Sequence, residues 1–189
     1  CTPGSTQYAW LERDLAGVDR TRTPWVVIFG HRPIYTGNSG PDPHLGQIEP
    51  LFMKYNVSLS LYGHVHNAQT WCPMYQGKCL RDGPPGGPWV GPIHAVIGNA
   101  GQQLSPFPPL DNRTAYHAYE HGYNDFVANS THLTFTFWSD THVPHYQFTT
   151  YQAYPPPDRK SPPLNSRHRT VSYSGLFLEK KKKQPSQLP

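Results

Sequence analysis

No apolar run in this chain exceeds the five residues from Trp25 to Phe29, so it contains no membrane-spanning helix. Charged residues are scarce at 15% and methionine is nearly absent at two, against 22 prolines and 16 glycines. That composition excludes a coiled coil or helical bundle and favours a loop-rich globular domain. No internal repeat is visible. The net charge of +4 does not indicate a nucleic-acid binder. Eight of the 16 Lys and Arg lie in residues 151–189 against two of the 12 acids, giving that stretch +6 and the first 150 residues −2. The basic character therefore belongs to the tail, whereas a nucleic-acid site would put it on the folded body. Only three cysteines occur. Cys72 and Cys79 are spaced to close a short loop, as in an oxidising compartment, or else are two buried thiols. Cys1 is left without a partner, and the chain is expected to be part of a longer one.

What is present is organised around Val57 to His66, which reads Val-Ser-Leu-Ser-Leu-Tyr-Gly-His-Val-His. Apolar Val57, Leu59 and Leu61 recur at period two and predict a half-buried strand, which Gly63 ends. In extended chain His64 and His66 project to one side, where both imidazoles can approach a metal. Upstream, Ser5 is placed to cap a helix over 6–18, with Tyr8, Leu11, Leu15 and Val18 on one face. The run Trp25–Phe29 predicts a strand covered on both faces, followed at once by Gly30-His31-Arg32-Pro33. A Gly/Pro/Asn loop fills 36–44, and a helix is predicted over 47–55. Strand, loop, helix, strand normally gives parallel neighbours, so His31 and the His64/His66 pair should emerge on one sheet edge.

Further along, 81–92 reads as a Gly/Pro loop and Ile93–Ile97 as a short strand. Residues 102–118 read as irregular, and 133–138 with 146–149 as a late hairpin. Domain organisation follows: a body over 1–150 and a Pro-rich, basic, disordered tail over 151–189. The sequons at Asn56, Asn112 and Asn129 fit a secreted or lumenal glycoprotein. His94 is read as a core residue. His117, His121, His142 and His145 are read as structural or solvated, with Glu120, Tyr123 and Arg32 as weaker pocket candidates.

Gly30-His31-Arg32-Pro33-Ile34-Tyr35 followed by Gly63-His64-Val65-His66 resembles the last two metal-binding blocks of the purple acid phosphatases, within the metallophosphoesterases. Gly4–Tyr8, Cys72–Tyr75, Ala95–Gly101 and Asn129–Leu133 resemble the segments around those blocks, so the likeness covers roughly residues 4–148. It implies the C-terminal half of an α/β sandwich with mixed sheets, and hydrolysis of phosphate monoesters by an Fe(III)–divalent metal pair. By resemblance His31 and His64 hold the divalent ion (Zn, Mn or Fe(II)), His66 holds the iron, and His44 contacts substrate or protonates the leaving group. The family's Asp, Asp-x-x-Tyr and Gly-Asn-His blocks have no counterpart here. The chain is thus expected to bind at most one metal weakly and to be inactive alone. Two other readings stand beside this one: another metallophosphoesterase, such as a phosphodiesterase or nucleotidase, and a non-catalytic truncated glycoprotein. Oligomeric state, substrate and divalent metal are not legible.

Overall fold

A computed structural model of the chain describes residues 1–80 and 91–151. The predicted tail, apart from Tyr151, and most of the predicted 81–92 loop lie outside the described residues. Helix α1 (Thr6–Ala16) starts where its cap predicts: the Ser5 hydroxyl accepts from Tyr8 N at 3.2 Å. It stops two residues early, at Gly17, so Val18 is not part of it. β1 (Val27–Gly30) follows, then a 3₁₀ turn over Leu45–Ile48 running into α2 (Glu49–Lys54) with Pro50 in its first turn. β2 (Leu59–Tyr62), β3 (Ala68–Trp71), the small hairpin β4 (Met74–Tyr75) and β5 (Lys78–Cys79), and β6 (Ile93–Ile97) come next. β7 (Thr114–Ala118), β8 (Gly122–Ala128), β9 (His132–Ser139) and β10 (Pro144–Tyr151) complete the order.

The strands form a five-stranded sheet in the order β1-β2-β6-β3-β7 and a three-stranded sheet in the order β10-β9-β8. β1, β2 and β6 run parallel, and β3 is antiparallel to both β6 and β7. This sheet is mixed, as expected, whereas the second is antiparallel throughout. A disulfide joins Cys72, just before β4, to Cys79 on β5.

Alternation along each strand sends side chains into two separate cores. Leu59, Leu61, Ile93 and Ala95 face the second sheet and pack on Leu133, Phe135, Phe137 and Phe148. On the opposite face Tyr62 and Val96 meet Leu15, Leu51, Phe52, Ile34 and Tyr35 beneath the helices. The result is a helix layer, a mixed sheet and an antiparallel sheet. β2 is buried on both faces rather than one, because small Ser60 leaves room for the helix layer above it. β1 departs the other way: it borders only β2 and leaves Phe29 59% exposed, so the expected double cover fails at the sheet edge. The sequence reading passes over β3 and β8, and its irregular stretch 102–118 ends in fact in strand β7. Their strand-forming residues are interrupted by Gln69, His117, Asn124 and Asp125 and by four alanines, and pairing with neighbouring strands recruits them where local propensity does not mark them.

Candidate metal centre

In the β1–β2 register Gly30 lies beside Tyr62, so the next residues on each strand, His31 and Gly63-His64, leave the sheet together. Gly30 is fitted for this: a Cβ there would press on the Tyr62 ring at 3.2 Å. The His31 Nε2 and His64 Nδ1 atoms come to 3.2 Å, with the rings edge to face. Two nitrogens on one tetrahedral zinc, each about 2.0–2.1 Å from it, stand about 3.3 Å apart. The pair already has the spacing of two ligands on one ion.

The turn that carries the second histidine is tight. His64 has φ of 66°, in the left-handed region where non-glycine residues are strained. Val65 N donates to Gly63 O at 2.7 Å and Asn67 N to Val65 O at 3.0 Å. A Cβ on Gly98 would lie 2.1 Å from Val65 O, so the end of β6 must be glycine for the turn to seat on it. Extended chain therefore does not describe 63–66, and His64 and His66 do not share a side by strand geometry. Among the described residues no group of three or more His, Cys, Asp or Glu forms a metal cluster. Two of the three expected histidines meet and the third stands apart.

His66 is nevertheless prepared. Its Nδ1 sits 2.9 Å from Gln103 O, and a carbonyl only accepts, so Nδ1 carries the proton and Nε2 the lone pair. Ser105 braces the backbone there: His66 N donates to Ser105 Oγ, and Ser105 N to His66 O. The His64 pKa is lowered by its partial removal from water, then by the charges of Arg32, His31 and His66, which keeps a ligand lone pair free at neutral pH. The donors present suit a borderline divalent ion at His31–His64. A ferric ion also needs anionic oxygen, and among the described residues no group of three or more His, Cys, Asp or Glu gathers around His66 to supply it.

Behind the pair lies a buried polar network. Tyr35, four residues past His31, donates its hydroxyl to Glu49 Oε1 and accepts from Gly77 N at 3.1 Å. Gln76 N donates to Glu49 Oε2 at 3.2 Å. Tyr62, two residues before His64, places its hydroxyl 3.3 Å from His94 Nδ1, and His94 Nε2 stands 4.0 Å from Glu49 Oε1. His94 is fully buried, as the sequence predicts, and burial lowers its pKa to about 3. Burial likewise raises the Glu49 pKa. Sequence reasoning missed Glu49, although Leu45, Glu49 and Phe52 at i, i+4 and i+7 put it on the apolar stripe.

The other candidates lie elsewhere. His44 is exposed ahead of the 3₁₀ turn, where its N–H donates to Asp42 Oδ1 at 2.9 Å. It is not among the residues lining the cleft beside His64, which include Arg32 and Asp42. Glu120 pairs with His145, and the Tyr123 hydroxyl lies 2.9 Å from His142 Nδ1. His121 Nε2 bonds Gln102 O at 3.0 Å, and His117 packs edge-on against Phe107. Asn112 and Asn129 are exposed, while Asn56 is half-buried at a left-handed turn after α2.

Residues 2–68 match the calcineurin-like phosphoesterase family, and residues 91–144 match the iron/zinc purple acid phosphatase-like protein C family. The chain belongs to the purple acid phosphatase family. It is 33% identical over 165 residues to "Probable inactive purple acid phosphatase 27" of Arabidopsis thaliana, covering 80% of this chain and 27% of that relative. It is also 33% identical over 150 residues to human "Acid phosphatase type 7", covering 67% and 34% respectively. The solved purple acid phosphatase PPD1 of yellow lupin (Lupinus luteus) superposes with a TM-score of 0.73 at 28% identity, over 81% of this chain and 29% of that one. The chain thus spans between a quarter and a third of the length of these purple acid phosphatases.

Proposed function

We propose that this chain carries the histidine side of a metal-dependent acid phosphatase that hydrolyses phosphate monoesters. One observation carries the reading: two imidazole nitrogens meet at 3.2 Å at the ends of neighbouring parallel strands. In this reading His31 and His64 hold a divalent ion and His66, through Nε2, an iron. When bound, such a pair supplies Lewis acidity and a water of lowered pKa at the phosphoryl group. The protein's own part is to orient the ligands. The 62–66 turn fixes the His64 backbone, Gln103 selects the His66 tautomer, and Tyr35 and Tyr62 anchor both ligand loops to the core. The disulfide supports a secreted or lumenal setting. His44 is the weakest part of the assignment, since the cleft beside His64 leaves it out.

A second reading, a non-catalytic member of the family, has its own support in the name of the relative "Probable inactive purple acid phosphatase 27". Titration of the full chain with Zn²⁺ by calorimetry, with hydrolysis of a phosphate monoester followed on the same sample, tests the pair and ranks the readings. One zinc per chain is expected, with affinity falling at least tenfold in His31→Ala or His64→Ala and holding in His66→Ala. Unchanged affinity in the first two variants would overturn the pair as a metal site. Zinc binding without hydrolysis would favour the non-catalytic reading for the chain by itself.

A further inference from the structure

A cleft of about 520 Å³ opens beside His64 and runs under the 33–43 loop. Its walls are stiff because Pro33, Pro41 and Pro43 fix the backbone on both sides. Arg32 lines it, next in sequence to His31, and so do His64 and Asp42. The ion pairs among the described residues leave Arg32 out. Asp42, the one acid in the lining, has its Oδ1 committed to the backbone N–H groups of His44 and Leu45. Arg113 shows how this chain employs a structural arginine: it grips Asp111 and the carbonyls of Gly77 and Asn38. Arg32 does neither, and it lines the cleft together with His64.

We infer that Arg32 is a specificity residue, reading a second anionic group on the leaving-group side of a substrate whose phosphoryl group lies at His31–His64. The inference rests on the phosphatase reading and narrows its substrate to a small molecule bearing phosphate plus another anion. A planar guanidinium binds carboxylate or phosphate in two parallel bonds, and a proline-walled slot imposes the direction in which the leaving group extends. A plain alkyl or aryl monoester would leave the cation unanswered. A folded phosphoprotein would not enter the slot.

The test uses the full chain with zinc, and two ligands that differ only in the second charge: phenyl phosphate and 4-carboxyphenyl phosphate. Binding is followed by nuclear magnetic resonance at the amides of Gly40 and Val65 and at the Arg32 side-chain N–H. The carboxylated ligand is expected to bind at least fivefold more tightly and to shift those signals, and Arg32→Gln should abolish the preference. Equal affinities, a preference that survives in Arg32→Gln, or no saturable binding of either ligand overturns the inference. Replacing the carboxylate by a second phosphate in a third ligand shows which anion Arg32 prefers. Zinc bound at His31–His64 with no charge preference would leave the phosphatase reading standing and remove only this one. A charge preference without zinc binding would overturn both, because the phosphoryl group would then have no metal to meet at His31–His64.

Discussion

The two faces of the five-stranded sheet solve the burial problem with opposite chemistry. Toward the second sheet the contact is mainly apolar, with Phe135 stacked on Phe148 at 5.3 Å and edge-on to Phe137 at 5.0 Å. Toward the helices the same strands bury His94 and Ser60 beside Glu49 and two tyrosine hydroxyls. The apolar side holds the fold and touches neither histidine loop. The polar side lies directly under both loops, and each of its tyrosines is within a few residues of a candidate ligand. Hydrophobic packing is tolerant of direction, whereas a hydrogen bond fixes one. A core that must aim two imidazoles at one point therefore has a reason to contain polar groups, in spite of their desolvation cost.

Cutting into the apolar side should give the largest loss. Phe135→Ala removes a ring in contact with two others from a fully buried site, and about 3–5 kcal/mol of unfolding free energy should go with it. Urea unfolding of the full chain measures this, and a loss below about 1 kcal/mol would show that the two sheets are not packed as described. Where the variant stays folded, zinc affinity should be unchanged, because the histidine loops hang from the other core.

The polar side is broken by pH rather than by truncation. Buried His94 has a pKa of about 3, below the ordinary 6.5, so between those values the unfolded chain binds the extra proton. Its contribution to stability is fully present above pH 6.5 and is lost as pH falls toward 3, by at most about 1.4 kcal/mol per pH unit. Glu49 opposes this: its carboxyl, raised by burial, is protonated more readily in the fold above pH 4.5, so its contribution declines as pH rises. Between pH 6.5 and 4.5 Glu49 therefore offsets part of the His94 loss, and below 4.5 the His94 loss stands without that offset and stability should fall more steeply. His94→Leu should make the acid limb shallower, leaving the part that Asp42 and Asp111 contribute, and expose the Glu49 slope. An acid limb identical in the variant and the parent would mean that His94 is not the buried base.

The same contrast explains what was legible in the chain. Alternation and β-branched content identify β2, β6, β9 and β10, and the parallel pairing of β1 and β2 follows from the intervening helix. The His31–His64 meeting was visible because both residues end predicted neighbouring strands. β3, β7 and β8 were not visible: Gln69, His117 and Asn124 carry no strand signal, and long-range pairing overrides their propensity. The Glu49–Tyr35–His94 network stayed hidden for a related reason. Its members are 14 and 45 residues apart in sequence, and only the fold brings them together. Where the rings of His66 and His44 lie relative to the pair depends on turn geometry, which spacing alone does not encode.

The smallest expected effect sharpens the comparison most, because it separates what the histidine loop does for the fold from what it does for a metal. At φ of 66° His64 carries a left-handed cost of about 1–2 kcal/mol that a glycine would not have. Glycine in turn adds about 0.5–1 kcal/mol of chain entropy in the unfolded state. His64→Gly should therefore be slightly more stable than the parent, by about 0.5 kcal/mol, while losing half of the histidine pair and with it zinc binding. His64→Ala keeps the strained backbone and loses the ring, so it should bind no better and be less stable than the glycine variant. That ordering, read from thermal unfolding without metal, would show that the imidazole is held against the backbone's preference. If alanine and glycine unfold at the same temperature, the strain at this turn is not real, and the case that position 64 is kept for its ring alone loses its physical support.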